Sequence, residues 1–320
     1  MGGIVSRFRR WLDDTLWGPE TATRLVIVHV GLSLLLGMRI ALGSYRQLAE
    51  TPPALVDPVP FLFWLDRMPS VWVFVALQVV GTVAALAAAF RRHPRLAFAV
   101  AWVCYLVLAG LRGSRGKVLH NDLLLLWASA PFLLAPVVGR LKDLRAAGRD
   151  ARPAYGWPIR VATVIIVLVY FFAGYHKLRR SGPGWVFGDN MGYVLLWGPS
   201  VGSPAWGDLA RWVGEHMWAA RISAGFIIGV ELTFPVVLVV RRLQPLYALA
   251  AAVLHVGTWF LLGLDYWAWA LTVPLILVDW PAVVGFAGRR GWPGVSALSG
   301  RSAPAHEAGE QVGEGSPVVG

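Results

Sequence analysis

The sequence predicts an all-α polytopic membrane protein, a bundle of about eight transmembrane helices with no sizeable water-soluble domain. Three observations carry this: a series of apolar segments near spanning length, scarce charge, and basic residues gathered in alternate connections. Hydrophobic residues make up 57% of the 320 positions and charged residues 15%. A soluble globular chain carries about a quarter charged residues. Charge this sparse does not coat a soluble surface of this size, so lipid covers much of the exterior.

Apolar segments fall at Leu25–Gly43, Val71–Phe90, Leu96–Leu111, Leu123–Val138, Ile159–Gly174, Ala219–Val240, Leu246–Leu264 and Trp267–Phe286. Most approach the ~20 residues a helix needs to cross the hydrocarbon core. Leu123–Val138 is the weakest, being short and carrying Pro131 and Pro136, which predict a kink. Val194–Trp197 is too short to span and belongs to an interfacial element in the long Arg179–Glu215 connection. Residues 1–24 read as a basic amphipathic lead-in at the cytoplasmic interface and 25–286 as the transmembrane domain. The stretch 287–320, rich in Gly, Ser, Ala and Glu, is expected to be a disordered cytoplasmic tail.

Orientation follows from the basic clusters. Arg7, Arg9 and Arg10 precede the first segment, and Arg91, Arg92 and Arg95 lie between the second and third. Arg140, Lys142, Arg145, Arg149 and Arg152 lie between the fourth and fifth, Arg241 and Arg242 between the sixth and seventh, and Arg289 and Arg290 after the eighth. Every second connection is basic, which puts both termini in the cytoplasm of a multi-pass cell-membrane protein. Two external positions break the rule: Arg112, Arg115 and Lys117, and Lys177 with Arg179 and Arg180.

The net charge of +11 thus points to the anionic inner leaflet and not to nucleic acid, and the 17 Trp residues suit an interfacial belt. A single cysteine, Cys104, excludes an intrachain disulfide, CxxC redox chemistry and a thiolate metal site. No HxxxH or HExxH spacing occurs, so no metal site is assigned.

Ionisable groups inside a span are expensive, by roughly 2.5–3.5 kcal/mol each on insertion scales. The short set here is His29, Arg39, His120, Asp122, His176, Lys177, Glu231, His255 and Asp265. By the alternation of basic clusters, most of them converge on the external half. Each also has a structural reading. Asn121 and Asp122 suit a helix cap before Leu123. Lys177 suits snorkelling to the interface. His255 suits an interhelical hydrogen bond. Glu231 precedes Pro235 by four residues, and that proline deprives its carbonyl of a helical donor, which suits a kink. Arg39 suits pairing with an acid. Tyr170, Ala173, Gly174 and Lys177 share one helix face, where small residues admit a close neighbour. Lys177 beside that neighbour is a candidate general base, because desolvation weakens its hold on a proton. His176 faces elsewhere.

These residues resemble a known family. The run Tyr170-Phe-Phe-Ala-Gly-Tyr-His-Lys-Leu178, followed by Trp185-Val-Phe-Gly188, resembles the central motif of the vitamin K-dependent γ-carboxylases and of the wider HTTM (horizontally transferred transmembrane domain) family. His120-Asn-Asp-Leu-Leu is similar to the family's upstream histidine element. Arg39 with Gly43 is similar to the Arg-x-x-x-Gly of its first span, and Glu231-x-x-x-Pro235 with His255 to its C-terminal half. The resemblance covers Leu25 to Phe286. It implies Lys177 as the base that deprotonates a hydroquinone, His120 as its assistant and His255 in support. It places Arg39, Asn121, Asp122, Tyr170, His176, Trp185 and Glu231 around the substrate. A reduced quinone is the implied cofactor. Two departures stand out: the carboxylases carry a large lumenal domain that binds the substrate's propeptide, and they have a second lysine where His176 stands here. Two functions therefore stay open: an enzyme acting on a quinol or other lipid-soluble substrate, or a non-enzymatic membrane factor for maturation, export of or immunity to a secreted peptide. A transporter is disfavoured, since no inverted repeat with matching broken helices is evident.

Overall fold

The structure is a computed structural model that describes residues 2–115, 120–138, 151–201 and 204–283. Lys117, the basic run Arg140 to Arg149, Arg289, Arg290 and the 287–320 tail lie outside the described residues. Among those described, the fold is all-α apart from one two-residue ladder and an isolated bridge between Asp57 and Arg115.

Helix α1 (Gly2–Trp17) is the basic lead-in. It exposes Val5, Trp11, Leu12 and Trp17, apolar groups suited to a headgroup layer. Glu20–Thr21 then pairs antiparallel with Ala151–Arg152. Thr21 caps the next helix, its hydroxyl oxygen accepting from the Arg24 N–H at 3.2 Å.

Helix α2 (Ala22–Leu42) is apolar and buried on most of its faces, the pattern of a helix enclosed by others. Helices α3 (Val71–Ala89) and α4 (Pro94–Gly113) form a hairpin beside it. In α3 the buried residues are Phe74, Gln78, Gly81, Ala85 and Ala88, alternating steps of four and three that define one stripe. Trp72, Val79, Val80 and Val83 on the remaining faces are exposed, which in water would be an aggregation surface and in a bilayer is the lipid face.

Helix α5 (Leu123–Ser129) is short. Pro131 lacks an N–H, and the chain tightens there into a 3-10 turn over Ala130–Leu134 before running extended from Ala135. The interruption expected in this segment is present. Helix α6 (Pro153–Ser181) is the longest, started by Pro153 and stopped at Gly182, whose φ of 58° turns the chain. Three short helices follow, α7 (Gly184–Phe187), α8 (Asn190–Val201) and α9 (Gly207–Glu215). They cover the start of α10 (Met217–Thr233) through a small core of Met191, Leu195, Ala210, Ala220 and Ala224. Val194–Trp197, expected in an element too short to span, lies in α8.

Helix α10 breaks at Phe234 and Pro235, and Val236–Val239 continues as the single turn α11. Helix α12 (Gln244–Leu262) ends at Gly263, which adopts φ 65° and donates its N–H to the Trp259 carbonyl at 2.9 Å. Helix α13 (Trp267–Leu277) stops at an extended Val278, short of the expected Phe286. Residues from Asp279 belong to a separate unit, described to 283 as one helical turn begun by Asp279.

Among the described residues five helices are long and apolar enough to cross a membrane: Ala22–Leu42, Val71–Ala89, Pro94–Gly113, Pro153–Ser181 and Arg241–Leu262, the last counted with the 3-10 turn that leads into α12. This is the helix content of an all-α membrane protein.

Gly81 tests the packing of the first three long helices. A Cβ there would lie 2.9 Å from the Cβ of Cys104 on α4 and 3.0 Å from Ile40 on α2. Gly81→Leu is expected to wedge the three helices apart and cost about 1–3 kcal/mol or more, read as a lowered thermal midpoint of the purified protein. An unchanged midpoint contradicts the close three-helix contact.

Candidate functional site

Arg39, near the C-terminal end of α2, is 2% exposed although its guanidinium is charged at every accessible pH. Its Nε donates to Asp122 Oδ1 at 2.7 Å, and Nη1 donates to Asp265. Asp122 accepts further from Tyr105 Oη at 2.8 Å and Arg112 Nη1 at 3.2 Å. The Arg112 guanidinium also stacks over the Tyr45 ring at 4.4 Å. Asp122 occupies the cap position before α5 but makes no side-chain cap bond, because its carboxylate is taken by the arginines and Tyr105. Arg112, one of the basic residues that broke the charge alternation, is there to complete this cluster.

A second line of polar groups starts from the same place. Asn121 Nδ2 donates to the Asp265 carbonyl at 3.2 Å, and Trp269 Nε1 donates to the Asn121 carbonyl at 2.7 Å. These bonds set His120 against Tyr266, with Tyr266 Oη and His120 Nε2 2.5 Å apart. Burial pushes the Tyr266 phenol up to about 12, so it stays protonated. The Tyr266 ring stacks on His255 at 5.5 Å, and His255 Nε2 lies 2.6 Å from Tyr170 Oη. Trp269 packs edge-on against both histidines. Residues from α6, α12 and the turns before α13 and before α5 thus form one line: Tyr170, His255, Tyr266, His120. The interhelical hydrogen bond expected of His255 is present.

Lys177 is tied elsewhere. Its Nζ donates to Glu231 Oε1 on α10 and lies 5.3 Å from the centre of the Trp185 ring. Gly174, one helical turn earlier on the same face, lets α10 approach: a Cβ there would sit 2.9 Å from Glu231 Cβ. The lysine side chain is 31% exposed and the glutamate 7%. Glu231 Oε2 is buried without a hydrogen-bond partner. His176 is exposed, against Phe172 and Tyr175, and on the other side from the ion pair's partner helix. An open cleft of about 400 Å³ is lined by His176, Lys177, Arg180, Ser181 and Trp185. A separate apolar slot of about 380 Å³ lies between α8, α10 and α12, lined by residues including Leu195, Ile222, Phe226, Val253 and Leu261.

Comparison with family models, with curated proteins and with solved structures finds no match. The geometry therefore carries the functional reading. Of the ten residues singled out from sequence, Arg39, His120, Asn121, Asp122, Tyr170 and His255 fall in one connected network, and Lys177, Glu231 and Trp185 fall in a second. His176 borders the second only from the cleft side. Sequence reading did not single out Tyr266, Trp269, Tyr105 or Tyr45. Tyr266 follows Asp265 directly, but an aromatic residue at a helix end is also what an interfacial belt supplies. Among the described residues no group of three or more His, Cys, Asp or Glu is placed to hold a metal ion.

The charge cluster is expected to govern stability. Arg39→Met leaves Asp122 with fewer cations in the interior, and breaking a buried pair in this way costs about 3–5 kcal/mol. The check is the thermal midpoint of the purified protein. Adding Asp122→Asn to Arg39→Met is expected to cost less than the two single losses summed; strict additivity would show the pair uncoupled.

Proposed function

We propose that the chain is a membrane enzyme of the HTTM type, related to the transmembrane part of the vitamin K-dependent γ-carboxylases, acting on a reduced quinone or a similar lipid-soluble hydroxyl compound. The observation that carries the reading is the Lys177–Glu231 pair at the edge of an open cleft beside Trp185. A lysine that only snorkels does not need a buried carboxylate on a neighbouring helix.

The chain then has about eight spans with both termini in the cytoplasm. Five long apolar helices and three interrupted apolar elements support the count: α5 with its 3-10 turn, α10 with α11, and α13. On this topology the Arg39 cluster, the histidine line and the lysine lie toward the external side.

The residues fit a reduced quinone. The 400 Å³ cleft has room for the ring system, and Trp185 offers it a face. When bound, such a group supplies an ionisable phenol whose anion is electron-rich. The protein's part is to take the proton. Lys177 Nζ hands a proton to Glu231 Oε1, and the freed lone pair on Nζ accepts one from the substrate hydroxyl. Glu231 thus stores the proton away from water, and the base is the pair, not the lysine alone. His120 and His255 hold the neighbouring wall through Tyr266 and Tyr170.

Reporter fusions check the topology: a fusion at Gly148, outside the described residues, is expected to report cytoplasm, and one at Pro204 the outside. The reverse at either site overturns the eight-span arrangement.

Substitution checks the chemistry, with turnover of a reduced naphthoquinone by the protein in nanodiscs as the readout. Lys177→Ala and Lys177→Arg are both expected to remain inserted and to lose about 10²-fold or more in rate, the scale of a general base. Arginine keeps the ion pair but does not give up its proton. Glu231→Gln is expected to lose activity as well. Full activity in Lys177→Arg would rule out the base assignment.

A further inference from the structure

Helices α10 and α12 meet at one end, where Tyr247 Oη donates to Thr233 Oγ1 at 2.7 Å. At the other end the small core under α8 and α9 bridges them, with Ile227, Leu261 and Leu262 packed against it. Between these ties the two helices part. The apolar slot of about 380 Å³ occupies this gap, reaching from Val253 to Leu262 along α12, with Met191 and Leu195 of α8 over it. A further hollow of about 350 Å³ continues the gap toward Tyr247, and Phe226 lines both. Ile222, Phe226 and Val253 at the rim are exposed, as are Leu246 and Leu249 beside it, so the gap opens sideways onto the apolar outer surface.

Chemistry, length and width define what fills the slot. The two hydroxyls in its lining are spent within their own helices: Ser223 Oγ donates to the Ala219 carbonyl at 2.9 Å and Thr258 Oγ1 to the Leu254 carbonyl at 2.8 Å. A polar guest would be left unpaired there, so the guest is hydrocarbon. The helix rise from Val253 to Leu262 is about 14 Å, half of the ~30 Å hydrocarbon core and the depth that one leaflet's chains fill. Spread over that length, the volume gives a strip roughly 5 Å wide, one chain thick for carbons that touch at about 4 Å. A helix 10–12 Å across does not enter. We propose that the slot holds one acyl chain of a bilayer phospholipid, kept as a wedge between α10 and α12. The slot shares no lining residue with the cleft beside Lys177, so the chain belongs to a lipid anchored in the headgroup layer and not to a substrate held in the cleft. The site stands whether or not Lys177 acts as a base. It bears on that pair all the same: Glu231 lies one turn beyond Ile227 on α10, and the wedge fixes how far that part of the helix stands from α12.

The test loads the full chain in nanodiscs with a phosphatidylcholine that carries a photoreactive diazirine midway along one chain. The protein is then passed through excess detergent, which exchanges loosely held lipid, and irradiated. About one phospholipid per chain is expected to be retained, with its label on 222–227 and 253–262 at least tenfold above the exposed stripe of α3. Gly257→Leu plugs the slot: a Cβ at Gly257 meets nothing within 4 Å, and leucine is the better helix former, so the variant is expected to fold and to lose both the retained lipid and the label. Should it fail to fold, Ser223→Leu fills the slot from α10 with the same expected loss, and should both fail the wild-type label map decides. No retained lipid, or label spread equally over α3 and the slot, would show bulk bilayer lipid only and overturn the proposal. Wild-type retention in a folded plug variant would overturn it too. Displacement of the label by a long-tailed hydroquinone but not by excess phosphatidylcholine would make the slot a substrate subsite and overturn the lipid assignment.

Discussion

A guanidinium that never loses its charge is buried near the end of α2, and the elements at that end of the helix are arranged around it. Arg39 and Arg112 contribute two positive charges, Asp122 and Asp265 two negative ones, so the cluster is neutral as a whole. Neutrality is what makes it tolerable in low dielectric, where an unpaired ion is far more costly than a pair. Its members come from α2, α4, the turn before α5 and the turn before α13. The same residues position their sequence neighbours. Asp122 follows His120 and Asn121, and Asp265 precedes Tyr266. The His120–Tyr266 contact is thus a consequence of where the two aspartates must be.

The opposite end of α2 repeats the device with other residues. Glu20 accepts from Arg24 at 2.7 Å and from Arg160 on α6, and Arg24 also reaches the Ile276 carbonyl at the end of α13. Arg24 lies in the first turn of α2 and Arg39 in its last. Between them the helix is almost wholly apolar, apart from His29 and Ser33, whose hydroxyl is satisfied by the His29 carbonyl at 2.7 Å. Apolar packing among helices permits sliding, since one leucine is much like another. Two ion clusters at fixed separation do not. They set the depth of α2, and through it the level of α4, α6 and α13.

Much of this was legible in the sequence, for physical reasons that also mark where legibility stopped. Long apolar runs dictate helices in lipid because no other local structure satisfies the backbone there, so the five long helices follow directly. Pro131 and Pro235 interrupt helices wherever they occur. Ionisable residues in apolar runs pointed to sites because their burial has to be compensated. Their partners were not legible. An aspartate before Leu123 looks the same whether it caps a helix or meets Arg39, which is 83 residues away. Glu231 is 54 residues from Lys177, and only the small Gly174 hinted that a helix came close. Tyr266 was hidden by its surroundings, since tyrosine and tryptophan at helix ends are common in any membrane protein. The end of α13 was misjudged because apolar residues continue past Val278 although the helix does not.

The two buried charge systems differ in a way that separates scaffold from chemistry. Around Asp122 the acceptors are saturated: both carboxylate oxygens have donors, and the cations are arginines, which do not exchange protons at any pH the cell offers. Nothing there is free to change protonation. Around Glu231 the reverse holds. One oxygen is paired with a lysine, an amine able to lose its proton, and the other has no partner. The lysine is partly exposed to a cleft while the glutamate is sealed behind it. On the proposed reading a proton arriving from the cleft meets the amine first and the buried carboxylate behind it next. The open oxygen and the lysine beside it support the proposed placing of the chemistry at Lys177, while the carboxylate of Asp122, held by two arginines and a tyrosine, serves the architecture.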